Sequence, residues 1–278
     1  MKNQNSSLVT PVLLAGSIII LITFGIRGSF GVFQIPIEND FQWLRVEFSL
    51  AIALQNLGWG IGAPIFGALG EKFGDRKLII VGGIFYVIGL VLSTFAESPL
   101  SHQILEFIIG FGIAGTGMGM ILAVVGRASS DKNRSMSLGI VTAAGSLGQM
   151  FGAPIAQNLL NFYSWQEVFI FFALTVIVVM IAVPFLKGKP IQTKQEVNTS
   201  LRKILGHAIK DPNFGMIFLG FFACGYQLAF VSAHFPAMIT EMCSAISPTS
   251  MLHYLNVSST SALGALAIAL IGFSNIFG

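Results

Sequence analysis

Eight long apolar runs alternate with polar stretches along the chain. A hydrocarbon core about 30 Å thick needs roughly 20 apolar residues in a helix, and the runs fall near 11–33, 48–70, 77–96, 104–126, 136–158, 166–186, 213–236 and 255–278. Most linkers are short, so successive helices are expected to run antiparallel as neighbours. The 237–254 linker is longer and carries Pro248, which suits a bend or a short surface helix. The segment from Met1 to Thr10 is short and polar, and the run after it is longer than a signal-peptide core and lacks a small-residue cleavage site. An uncleaved first span follows.

Composition turns these runs into a solvent. Of 278 residues, 54% are hydrophobic and 10% charged, against about 25% charged in a soluble domain, so the chain's chief partner is the lipid bilayer. The 31 glycines suit helices that pack backbone to backbone there. A net charge of +3 does not imply nucleic acid, because the basic residues lie in short loops rather than on one face. Cys224 and Cys243 make neither a disulfide framework nor a metal site and are read as ordinary membrane residues. No cofactor or metal is expected.

Charge then orients the spans. With the N-terminus in the cytoplasm, Lys2, Lys72, Arg76, Lys77, Arg127, Lys132, Arg134, Lys187, Lys189, Lys194, Arg202, Lys203 and Lys210 are all inside, 13 of the 15 positive residues. Arg45 alone falls outside and Arg27 within the first span, as the positive-inside rule demands. The implied organisation is a six-helix unit (1–186), a cytoplasmic linker (187–212) and a two-helix unit (213–278) in an inner membrane. Leu201, Ile204, Leu205, Ala208 and Ile209 recur at helical spacing in the linker and suit a short amphipathic helix.

Between the second and third runs, Gly67-Ala-Leu-Gly-Glu71-Lys72-Phe-Gly74-Asp75-Arg76-Lys77 reads as a tight turn whose glycines allow close approach and whose charges can bond neighbouring helix ends. In the fifth run, Gly148 and Gly152 share a face and Pro154 removes a backbone donor. These stretches resemble the signature loop and fifth-helix glycine-proline stretch of the major facilitator superfamily. Gly25-Ile-Arg27-Gly-Ser-Phe30, Gln55-Asn56-Leu-Gly58-Trp59 and His234-Phe-Pro236 resemble its monocarboxylate transporter and oxalate/formate antiporter branch. The resemblance implies an all-α transporter of twelve spans, of which this sequence holds the first bundle and two helices of the second, as a fragment or a truncated product. It also implies a latch at Gly67, Glu71, Lys72, Gly74, Asp75, Arg76 and Lys77. One departure is Glu106, four residues before Gly110-Phe-Gly112, where the superfamily often has arginine.

An ionisable group inside a span costs about 2.5–3.5 kcal/mol and is by default a functional candidate. Arg27, placed six residues before the outer end of its run, shares a depth with Gln55 and Asn56. Phe30 and Gln34 follow Arg27 on its helix face, while Gln149, Tyr226, Gln227 and His234 bring further polarity near mid-to-outer depth. One fixed cation in an apolar wall suits a small organic anion, mono- or dicarboxylate, moved with a proton or a counter-substrate. For Arg27 the competing roles are snorkelling and an ion pair with Glu38 or Asp40. An efflux carrier for amphipathic compounds and a non-transporting sensor or assembly partner are the alternative functions. No Gly-x-x-x-x-Gly-Lys-Ser/Thr loop, paired carboxylates or nucleophile triad indicates an enzyme.

Overall fold

A computed structural model describes residues 8–186, 206, 210–247, 250–254 and 257–277. Among them, eight helices are long and apolar enough to cross a membrane: Pro11–Phe41, Arg45–Phe73, Asp75–Ser93, Pro99–Ala128, Arg134–Leu160, Trp165–Phe185, Pro212–Met242 and Thr260–Phe277, here spans 1 to 8. The amphipathic helix expected around Leu201–Ile209 and most of the linker lie outside the described residues. So do Lys2, Lys187, Lys189, Lys194, Arg202 and Lys203.

Several helix starts are written locally. Thr10 accepts from the Leu13 amide at 3.2 Å with Pro11 at the first helical position, where a missing N–H costs nothing. Ser98 and Ser164 form capping boxes with Ser101 and Glu167 at the starts of spans 4 and 6. Span 2 meets span 3 through a single residue, Gly74, whose φ of 96° only glycine adopts readily. Spans 1, 2 and 7 run several residues past their apolar runs because helical hydrogen bonding continues through polar interface residues such as Arg45, Glu47, Glu71 and Lys72.

Two spans are interrupted. In span 1 the helix Pro11–Gly28 ends at Ser29, whose amide and hydroxyl both turn back to the Ile26 carbonyl, at 3.1 and 2.7 Å. A 3-10 turn, Phe30–Phe33, then leads into Gln34–Phe41. Pro36, which has no N–H to offer the Val32 carbonyl, favours this tighter segment. In span 4, Gly117 is extended between Pro99–Thr116 and Met118–Ala128.

Spans 1 and 5, 2 and 4, 3 and 4, and 3 and 6 pack side by side. Phe33, Phe48, Tyr86 and Phe169 are fully buried toward one end, and Ile19, Ile79, Ile121 and Val124 toward the other. Leu57, Ile61 and Ile65 in span 2 and Ile84 and Ile88 in span 3 point outward at helical spacing, as a lipid-facing stripe does. Span 8 lies on span 5, with Ser146 Oγ 3.4 Å from the Asn275 carbonyl, and span 7 lies on the 3-10 turn of span 1. Span 7 also packs on span 8, with Gly264 against Pro236, whereas its first half, including Phe218, Phe221 and Phe222, is exposed among the described residues.

Candidate functional site

Arg27 sits immediately before the break in span 1, 14 residues from Phe41, or about 20 Å by helical rise. It is therefore near the middle of its span rather than close to the C-terminal end, since the helix extends beyond its apolar run. The side chain is 7% exposed, which rules out snorkelling. Its Nη2 donates to Asn56 Oδ1 at 3.1 Å, and Asn56 Nδ2 donates to the Ile52 carbonyl at 2.8 Å, fixing the amide with its oxygen toward the cation. The guanidinium lies over the Trp59 ring, 4.4 Å from its centroid, and 6.0 Å from that of Phe24. Those two rings meet edge to face at 5.9 Å. Arg27 Nε has no partner among the described residues. Glu38 instead receives Gln34 Nε2 at 2.8 Å and approaches Arg45 at 3.9 Å, while Asp40 accepts from Trp165 Nε1 and Gln166 Nε2, both at 2.8 Å.

A cavity of about 10 Å³ lies beside Arg27, lined by Phe30, Gly31, Ile52, Gln55, Asn56 and, from span 7, Ala229, Ser232 and Ala233. That is room for about one water beside the cation. Gln149 backs onto Gly28 and lines an adjacent cavity with Ser232 and Gly272. Gln34 is buried and donates to Glu38 at 2.8 Å, and three residues per turn through Phe30–Phe33 shift it from the register set by spacing alone. Tyr226 and Gln227 are exposed, Tyr226 stacking on Phe230, and His234 is half-buried against the same ring. None of these three meets the Arg27 group. Sequence reasoning missed Trp59 as a contact of Arg27, although its position three residues after Asn56 puts it on the same face.

At the Gly74 end, Asp75 accepts from Arg127 Nη2 at 2.5 Å and Arg76 Nε donates to the Leu186 carbonyl at 2.9 Å, tying the turn to spans 4 and 6. Glu71, Lys72 and Lys77 are exposed, with Lys72 Nζ over Phe73, and Gly67 faces open space. Asp75 thus carries the turn's ion pair. Asp75→Asn is expected to lower thermal stability by about 1 kcal/mol, with no further loss when combined with Arg127→Gln, in a double-mutant cycle on the detergent-solubilised protein. At the opposite end, Arg45 pairs with Glu241 of span 7 and joins it to Glu38 of span 1.

The model of the Major Facilitator Superfamily matches residues 15–278. The chain belongs to the major facilitator superfamily. Over 153 residues, 52% of this chain, it is 35% identical to monocarboxylate transporter 13 of Bos taurus, covering 34% of that protein. It is 28% identical over 142 residues to the methyl viologen resistance protein SmvA of Salmonella typhimurium, covering 27% of it. The chain spans about a third of the length of the curated relatives it matches. The fold agrees with the partially occluded, inward-open xylose transporter XylE from E. coli, at a TM-score of 0.63 and 14% identity over 96% of this chain and 70% of that one. It also agrees with a bacterial homolog of the human lysosomal transporter Spinster, at a TM-score of 0.64 and 20% identity over 94% of this chain and 58% of that one.

In this member of the superfamily, an all-α membrane protein from a family of transporters rather than enzymes, the glutamate at 106 has a definite place. It is buried in span 4, and Gln55 Nε2 donates to its Oε2 at 2.7 Å. Adjacent residues of span 2, Gln55 and Asn56, therefore hold one carboxyl and one guanidinium.

Proposed function

We propose that the protein is a secondary transporter of a small organic anion, a mono- or dicarboxylate, and that Arg27 is its anion-binding group. The observation that carries this reading is a guanidinium buried at mid-span with, among the described residues, no carboxylate partner and one N–H free. A buried charge left unpaired is costly, and a guanidinium fork matches a carboxylate bidentately. Trp59 and Phe24 hold the cation in place without neutralising it, leaving its charge for a ligand. The contacts of span 7 with span 1 support a site where two helical units meet, the position that alternating access uses.

In this reading the N-terminus is cytoplasmic and the membrane is the inner membrane. The Arg45–Glu241 pair closes the outer side, and the turn around Asp75, Arg76 and Arg127 braces the cytoplasmic side. Coupling is to a proton or a counter-substrate, with no cofactor. The test is a binding panel on the protein in lipid vesicles, pairing each carboxylate with its neutral amide. Carboxylates are expected to bind at least tenfold more tightly than their amides, a difference of about 1.4 kcal/mol. Equal binding of acid and amide, or preference for neutral amphipathic compounds, would overturn the anion reading.

A further inference from the structure

Span 4 buries a second titratable pair that the anion site leaves unused. His102 and Glu106 lie one turn apart, each 1% exposed, with Nε2 3.6 Å from Oε1. Gln55 occupies the other carboxylate oxygen, and neither ring nitrogen of His102 has a hydrogen-bond partner among the described residues. No lysine or arginine pairs with Glu106 among them either.

The surroundings are closed and sparsely charged. Span 2 contributes Gln55 and, further out, Glu47, which is engaged by Gln103 Nε2 at 2.7 Å. Span 3 contributes Tyr86, fully buried, whose hydroxyl donates to the Thr23 carbonyl of span 1 at 3.4 Å. The rings of Trp43 and of Trp165 in span 6 stand 5.8 and 6.3 Å from the His102 ring, and Asp40 is held by Trp165. Span 1 contributes Arg27, bonded to Asn56, the residue that follows Gln55 on span 2.

We propose that His102 and Glu106 form a one-proton site whose occupancy sets the affinity of Arg27 for its anion. A proton arriving from water is held by the pair as the Glu106 carboxylic acid, beside a neutral His102, and changes its charge from −1 to 0. No other bond is made or broken. With the pair unprotonated, Glu106 balances Arg27 and the buried group is neutral overall. With the proton bound the group carries +1, and a carboxylate at Arg27 restores neutrality. Because net buried charge is costly, proton and anion favour each other's binding, reciprocally and by roughly 5- to 150-fold. The proton site stands on its own geometry, while its effect on an anion rests on the proposed role of Arg27.

Infrared titration of the protein in lipid vesicles between about pH 5 and pH 8 tests the first part. The wild type is expected to show a protonated-carboxyl band that titrates, and Glu106→Gln is expected to lose the band. Should Glu106→Gln fail to fold, Gln55→Leu, which removes the hydrogen bond to Oε2, must displace the band. A band absent throughout, surviving Glu106→Gln or unmoved in Gln55→Leu overturns the site. Binding of lactate and oxalate, which stay ionised over this range, tests the second part. Affinity should rise at least fivefold on acidification in the wild type and be independent of pH in Glu106→Gln. Equal pH dependence in both proteins overturns the coupling, whereas no binding by either defeats the anion reading and leaves the infrared result to decide the proton site.

Discussion

Arg27→Gln is expected to abolish carboxylate binding while leaving the folded protein as stable as the wild type or slightly more so. A buried arginine costs about 2.5–3.5 kcal/mol at a span centre, offset by a cation-π contact of up to about 2 kcal/mol and one hydrogen bond of about 1 kcal/mol. The terms nearly cancel, so a neutral glutamine has little stability to lose at a pH where the His102–Glu106 pair holds its proton. Binding has no such compensation. Losing the charge-assisted contact to a carboxylate should cost about 2–5 kcal/mol, or roughly 30- to several thousand-fold in affinity. Arg27→Lys should fall between, because an ammonium keeps the charge but neither the planar fork nor the stacking on Trp59. Thermal melting in detergent and lactate or oxalate binding in vesicles separate the two effects. A melting point lowered as by a core deletion, with affinity intact, would make Arg27 a structural residue.

The divergence between stability and binding explains why Arg27 was legible as a candidate. A cation in an apolar run conflicts with its solvent, and sequence displays such conflicts directly. The contact with Asn56 was also within reach, since counting residues from the ends of antiparallel runs puts both at one depth. The bond from Gln34 to Glu38 belongs to a local geometry that spacing does not reveal. The 3-10 turn at Phe30–Phe33 depends on how Ser29 and Pro36 use or withhold their backbone partners, and it breaks the period on which the inference stood. Glu106 stood out against a family pattern, yet its partner Gln55 lies on another span, and pairings between helices leave no trace in the period of either one. Span lengths were read short because hydropathy marks the lipid core and stops where hydrogen-bonded helix continues into the interface.

Gly152→Val is expected to prevent recovery of a folded, monodisperse protein, and the reason connects the glycine pattern to the site. A Cβ on Gly152 would run into the Gly25 carbonyl oxygen, and one on Gly148 into that of Leu21, so spans 1 and 5 touch through their backbones. Inserting methyl groups into a packed core typically costs about 1–3 kcal/mol when side chains can yield. Main-chain atoms cannot yield without moving a whole helix, so the cost here should exceed about 3 kcal/mol. Separation of the two spans would also loosen Gly28 from Gln149 one residue beyond Arg27, and so disturb the cation from behind. Gly139, on the same span, faces open space where a Cβ would stand, and Gly139→Ala should be neutral or stabilising by up to about 1 kcal/mol through helix propensity. Size-exclusion profiles and melting curves of the two variants provide the comparison. Wild-type behaviour of Gly152→Val would show that the spans have slack at this crossing and that the position of Arg27 is set from its Asn56 and Trp59 side alone.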